Sequence, residues 1–325
     1  MSSGPDRSIE TLIRLAGERE MPSDEATARA RAAAETSWQR LLAQKPARPR
    51  ARMALALAAA LGLVVLGWYA LKQREPAAPP VVVARVIALQ GGVILGRDRA
   101  AVAATLGAEV LTGSTLLTTE GRAAASFAEA LSLRLDRNTR LRFDGRDRVT
   151  LLAGGLYVDS GGLGLGPPLT ISTPAGELRH IGTQFLVRVS GDTTSIRVRE
   201  GRVALKHGDT IAQTVAAGDV LEVRGNEVRW QRGLASFGPE WEWSASLAQT
   251  FDIEDRPLAE FLAWIAREHG WQLHFADEAL QRQAQEIHLH GSLEGLDARA
   301  MLEHIALVTG VPLTLDAGVL WVGAR

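Results

Sequence analysis

The sequence predicts a membrane-anchored, multi-domain chain: short N-terminal helices, one transmembrane helix, an all-β domain of solenoid or jelly-roll type, and a small α+β domain at the end. Residues 53–71, MALALAAALGLVVLGWYAL, run without a charge. Short segments of period two recur between glycine and Asp/Asn turns over residues 81–232, and helical spacing returns after residue 250. As a helix, residues 53–71 would rise roughly 28 Å, close to the ~30 Å hydrocarbon thickness of a bilayer. Lys45, Arg48, Arg50 and Arg52 precede the stretch, whereas Lys72 and Arg74 follow it and are answered by Glu75. That bias assigns the N-terminus to the cytoplasm.

Composition removes several function classes. A formal net charge of −1 gives no bulk electrostatic case for nucleic acid. With no cysteine in the chain, disulfides, thiolate metal sites and a cysteine nucleophile are excluded.

Residues 1–44 read as helical. Ile9, Leu12, Ile13 and Ala16 fall at helical spacing, and Met21-Pro22-Ser23-Asp24 ends that pattern and offers Ser23 as cap to a second helix over 24–43. Its definite apolar stripe is Trp38, Leu41 and Leu42. Two such helices bury too little surface to be stable alone, which points to folding against a partner; the plainer alternative is a solvated tail.

A proline-rich spacer covers 72–80. In the β region, alternation marks strands at 131–135 and 140–143 around the turn Asp136-Arg137-Asn138, and at 149–152, 156–158, 185–189, 195–198, 203–205 and 220–223. The glycine run over 154–166 has neither a Gly-Lys-Ser/Thr ending nor a helix after it, so it reads as a β connection and not a phosphate cradle.

A tryptophan-bearing linker, 233–249, leads into residues 250–325, whose expected order is β-α-β-β-α-β-β. Strands fall at 250–253, 271–275 and 286–290. One helix begins at Pro257 and ends at Gly270; a second is capped by Asp297 and ends at Gly310; a hairpin turns at Asp316-Ala317-Gly318. His288 and His290 share a strand face, but no third metal ligand is near, and Asp252, Glu254 and Asp255 precede a helix start, where acids favour the dipole. No cofactor, metal or turnover enzyme is expected.

The run from Leu131 to Thr139, then Thr173-Pro174-Ala175-Gly176 through Gly182-Thr183-Gln184-Phe185, Val198-Arg199-Glu200-Gly201-Arg202-Val203, and Ala216-Ala217-Gly218-Asp219 resemble the FecR-type transmembrane anti-sigma regulators. Phe251-Asp252-Ile253, Pro257-Leu258, Gly270 and Thr309-Gly310-Val311 are similar to the STN domain of secretins and TonB-dependent transducers. The resemblance implies a single-pass inner-membrane protein with residues 81–232 and 250–325 in the periplasm. It implies a relay from the signalling domain of a TonB-dependent outer-membrane receptor to an extracytoplasmic-function sigma factor, controlling genes for uptake of iron or another nutrient. The expected sigma-factor contacts are Trp38, Leu41, Leu42, Leu12 and Ile13. Self-processing at Gly182-Thr183 is a further implication, since a threonine hydroxyl can attack the preceding carbonyl where glycine leaves it open, with His180 as proton carrier; alternatively, Gly182 serves a turn or bulge. A membrane-tethered scaffold of the envelope, with no sigma-factor role, is the competing function.

Overall fold

The computed structural model describes residues 23–43, 80–97, 100–128, 131–161, 169–206 and 213–323. The chain divides into two units, Met1–Ala77 and Ala78–Arg325.

In the first unit, helix α1 (Asp24–Ala43) begins at Ser23, whose carbonyl accepts from the Ala26 and Thr27 amides at 2.9 and 3.0 Å and whose Oγ lies 3.4 Å from the Ala26 nitrogen. Asp24 and Glu25 sit in its first turn and Arg40 in its last, the polarity the helix dipole favours. Trp38 is 66% exposed.

The second unit is built on one 15-stranded sheet. Its strands are β1 (Val82–Gln90), β2 (Val93–Arg97), β3 (Ala100–Ala103), β4 (Glu109–Leu111), β5 (Thr115–Thr118), β6 (Arg122–Phe127), β7 (Leu131–Leu135), β8 (Arg140–Phe143), β9 (Arg148–Asp159), β10 (Thr170–Thr173), β11 (Gly176–Ser190), β12 (Thr193–Lys206), β13 (Gln213–Ala216), β14 (Val220–Arg224) and β15 (Glu227–Gln231). Every pairing is antiparallel except β9 with β10. The long strands serve several ladders each: β9 pairs with four strands, and β11 and β12 with three. The first part of β9 pairs with β8 and β10, and its end with β7 and β11. Such sharing folds the sheet round a single core, to which Phe127, Leu133, Phe143, Leu151, Phe185, Val187 and Val203 contribute fully buried side chains.

Beyond β15 the chain forms helices α2 (Pro239–Ala245), α3 (Leu258–His269), α4 (Glu278–Glu286) and α5 (Ala298–Thr309). A three-stranded sheet sets β20 (Val319–Val322) between β17 (Gln272–Phe275), parallel to it, and β19 (Leu313–Asp316), antiparallel. The two-residue strands β16 (Arg256–Pro257) and β18 (His288–Leu289) pair with each other. Gly270 and Gly310 close α3 and α5 in the left-handed conformation, at φ 70° and 68°. A second core gathers Phe261, Leu262, Ile265, Leu302, Ile305, Leu320 and Val322.

The fold class expected from sequence is corrected. No helix among the described residues is long and apolar enough to cross a membrane; residues 53–71, which carried the expectation of a transmembrane helix, lie outside them. In place of a solenoid or jelly roll there is one continuous sheet, because β9, β11 and β12 each pair with three or four strands. Residues Ala78–Arg325 form one compact unit in which the helical residues pack on the sheet. The strand expected at 250–253 does not form, and that at 286–290 shrinks to His288–Leu289 because 278–286 is helical.

Candidate functional site

Residues Gly182 and Thr183 fall where β11 and β12 lose register. Ile181 faces Arg202 and Gln184 faces Glu200, so two residues of β11 oppose the single residue Gly201. Gly182 takes φ 54°, a left-handed value that glycine adopts without the clash a Cβ would bring. Thr183 is fully buried, and its Oγ1 has no hydrogen-bond partner. Leaving a buried hydroxyl unsatisfied costs about 1–3 kcal/mol. Its backbone, in contrast, is fully engaged by Ser160 at the end of β9: the Thr183 amide donates to Ser160 Oγ at 2.8 Å, and Ser160 Oγ and N both donate to the Thr183 carbonyl at 3.2 Å. A register slip at 198–200 places Arg199 on the sheet face that carries α2 and α3.

The bulge is tied to the helices by charge. Asp159, buried beside Ser160, accepts from Arg267 of α3 through Nη1 and Nη2 at 2.6 and 2.7 Å, from Gln184 Nε2 at 3.1 Å and from the Gly161 amide at 2.9 Å. Burial alone would raise the Asp159 carboxyl, but the Arg267 guanidinium outweighs it and holds the group below the usual carboxylate range. Alternation along β7 sends Leu131, Leu133 and Leu135 to the core and Arg134 to the helical side. There Arg134 Nη1 and Nη2 meet Glu268 Oε2 and Oε1 at 2.7 and 3.1 Å, and Nη1 also donates to the Ser244 carbonyl at 2.9 Å. Arg199 donates to the Glu268 carbonyl at 3.0 Å, a cation against the carbonyl end of α3, and stacks 4.4 Å over the ring of Trp241. Its Nε and Nη2 are buried without a partner, and burial lowers its pKa. Tyr157, fully buried against Trp241, is pushed well above the usual phenol value by desolvation.

Of the residues singled out from sequence, Gly182 and Thr183 come together at the bulge. His180 lies in β11 opposite Val203, but its side chain is outside the described residues, as are Leu12, Ile13 and the side chains of Leu41 and Leu42. His288 and His290 do not converge: His290 Nδ1 faces Glu254 at 3.0 Å, while His288 Nδ1 faces the Glu286 carbonyl at 3.1 Å. Among the described residues no group of three or more metal-ligating side chains exists. Sequence reasoning missed Ser160, Asp159, Arg267, Arg134, Arg199 and Glu268. Arg134 had a signal, as the one charge inside an alternating apolar strand; Ser160 had none, since only the β9–β11 ladder brings it to Thr183.

Residues 114–204 match the family model described as FecR protein. Among functionally curated proteins no match is found. Two crystal structures of a candidate anti-sigma factor from Parabacteroides distasonis ATCC 8503, at 1.65 and 2.50 Å resolution, align with 13% identity over 64% of this chain and 97% of theirs, at TM-scores of 0.34 and 0.33.

Proposed function

We propose that this chain, whose residues 114–204 match the FecR protein model, regulates an extracytoplasmic-function sigma factor by binding it through the N-terminal helices. The observation that carries the reading is Trp38, 66% exposed on α1. Covering two thirds of a tryptophan removes roughly 130 Å² of largely apolar surface, worth on the order of 3 kcal/mol. A sigma factor seated on that face would gain this energy, and Leu41 and Leu42 follow Trp38 at the spacing of one face. A promoter reporter for the controlled sigma factor tests the reading. Removal of residues 1–44, and Trp38→Ala, should each change reporter output; unaltered output in both would assign the chain a scaffolding role.

The input to the regulator is proposed to be the signalling domain of a TonB-dependent receptor, read by residues 250–325. Support comes from Leu307 and Val308 on α5, exposed at 81% and 63%, and from β19, which leaves one edge of its sheet unpaired. Control of iron or other nutrient uptake genes follows from such a receptor.

Self-processing at Gly182-Thr183 belongs to the same proposal. A buried, unpartnered Thr183 hydroxyl next to a left-handed glycine is a nucleophile beside an unshielded carbonyl. Chain carrying a tag at each end should run, after boiling, as one fragment ending at Gly182 and one starting at Thr183.

A further inference from the structure

We propose that Ser160 is a catalytic residue of this processing, carrying the proton that the scissile nitrogen must receive; the inference rests on the processing reading above. Attack of Thr183 Oγ1 on the Gly182 carbonyl carbon forms a C–O bond and breaks the C–N bond to Thr183. The reaction therefore has to remove one proton from the threonine oxygen and deliver one to the threonine nitrogen, and an amide nitrogen leaves poorly without it. Transfer within Thr183 itself would need a strained, short ring.

Ser160 Oγ is placed at the leaving nitrogen. It accepts from the Thr183 amide at 2.8 Å, so it already touches the leaving nitrogen, and its own proton is directed at the Thr183 carbonyl 3.2 Å away. As the carbonyl carbon becomes tetrahedral, that nitrogen turns pyramidal and gains a lone pair within reach of the Ser160 hydroxyl. The serine gives its proton to the nitrogen once its hydroxyl turns from the Thr183 carbonyl, and the proton released by Thr183 Oγ1 restores the serine hydroxyl. The products are an ester linking Gly182 to Thr183 Oγ1 and a free amine on Thr183. Water then hydrolyses the ester, giving the Gly182 carboxylate and restoring the threonine hydroxyl, so atoms and protons balance.

The position of Ser160 is fixed from the helices. Asp159 is held by two Arg267 hydrogen bonds from α3 and by Gln184 from the strand that carries the bulge. This clamp sets the end of β9 against Thr183, and Arg267 is accordingly a positioning residue. A release of α3 would loosen Ser160 from the bond it serves, which couples processing to the docked state of the C-terminal residues.

The test compares full-length chain, tagged at both ends, as wild type, Thr183→Ala, Ser160→Val and Ser160→Thr, with folding checked by circular dichroism and fragments followed by mass spectrometry from the start of synthesis. Wild type should process and Thr183→Ala should not. Ser160→Val, which keeps the shape without the hydroxyl, should slow processing by about 100-fold or more, and Ser160→Thr should restore most of the rate. Arg267→Met should slow wild-type processing while leaving the dependence on the Ser160 hydroxyl in place. Processing of Ser160→Val at the wild-type rate overturns the role of Ser160 and leaves self-processing standing. Intact wild-type chain overturns both. Should Ser160→Val not fold, Ser160→Gly is read in the same way.

Discussion

Glu268→Gln should destabilise the Ala78–Arg325 unit more than Arg134→Met, although the two residues form one ion pair. The reason is the charge balance of the buried cluster. Arg134, Arg199 and Arg267 bring three cations, and Glu268 and Asp159 bring the two buried carboxylates that answer them. Only Glu200, 3.4 Å from Arg267 and half-exposed, adds to the negative side. Removing the Glu268 charge leaves Arg134, 3% exposed in its side chain, with neutral partners in place of its carboxylate, among them the Ser244 carbonyl, the Ser132 hydroxyl and the Tyr157 ring, next to an Arg199 that already lacks partners for two of its nitrogens. Breaking a buried pair in this way costs about 3–5 kcal/mol, which for a unit of this size lowers Tm by roughly 6–20 °C. Arg134→Met leaves Glu268 with Arg199, whose Nη1 is already at the Glu268 carbonyl, so about half that loss is expected. Thermal unfolding of the two variants and of their combination, followed by near-UV circular dichroism, gives the order and the coupling energy. Equal losses, or a larger loss for Arg134→Met, would refute the reasoning from charge balance.

Acid should weaken the fold in two steps. His269, stacked 4.5 Å on Trp271, has its pKa lowered by burial, so the unfolded chain takes the proton first and stability is lost as pH falls below about 6.5; His269→Gln should remove this first slope from a plot of urea midpoint against pH. For Asp159 and Asp136 burial would raise the pKa, but hydrogen bonds from Arg267 and from Arg122 respectively hold it low, so their contribution is present above about pH 4 and lost below it. Gly270→Ala should cost at least ~3 kcal/mol, because the left-handed conformation is strained for alanine and the added Cβ would lie 2.0 Å from the Ser236 carbonyl oxygen. Gly310→Ala, with an equally positive φ but nothing within 4 Å, should cost only about 1–2 kcal/mol; equal losses in a denaturant titration would remove the close approach from the explanation. Leu307→Ser should leave stability within ~0.5 kcal/mol of wild type while weakening capture of a receptor signalling domain; unchanged capture would place that contact elsewhere.

What the sequence discloses is local. Ser23 and the alanines fix α1, the left-handed glycines at 270 and 310 end α3 and α5, and alternation marks β7 and β8. It stops where a segment takes its meaning from a distant surface. Residues 149–152 and 156–158 read as separate strands because Gly154 and Gly155 stand between them, yet they form the single strand β9: Gly154, at φ 88°, passes so close to Thr139 that a Cβ would lie 2.4 Å from its Cα. The stretch 239–245 reads as part of a linker, since a seven-residue run with two tryptophans shows no period; it is a helix because Trp241 finds Tyr157 and Arg199 on the sheet. Helix α4 escapes notice because EALQRQAQE buries only Ala284, and its start is marked only by the cap, Asp277 accepting from Leu280 at 2.8 Å, and by Glu278 in the first turn. At the bulge, residue types point to Gly182 and Thr183, while Ser160 follows another strand, β9, and Arg267 belongs to a helix more than 80 positions away.

Binding of the purified full-length chain to the sigma factor whose promoter it controls is the most direct measurement of the regulatory claim. Wild type should bind, and Trp38→Ala should weaken binding roughly thirtyfold or more, the loss of about 2 kcal/mol or more that follows removal of a central aromatic anchor. A wild-type chain that does not bind, or a Trp38→Ala chain that binds equally well, would contradict a sigma-factor contact centred on α1.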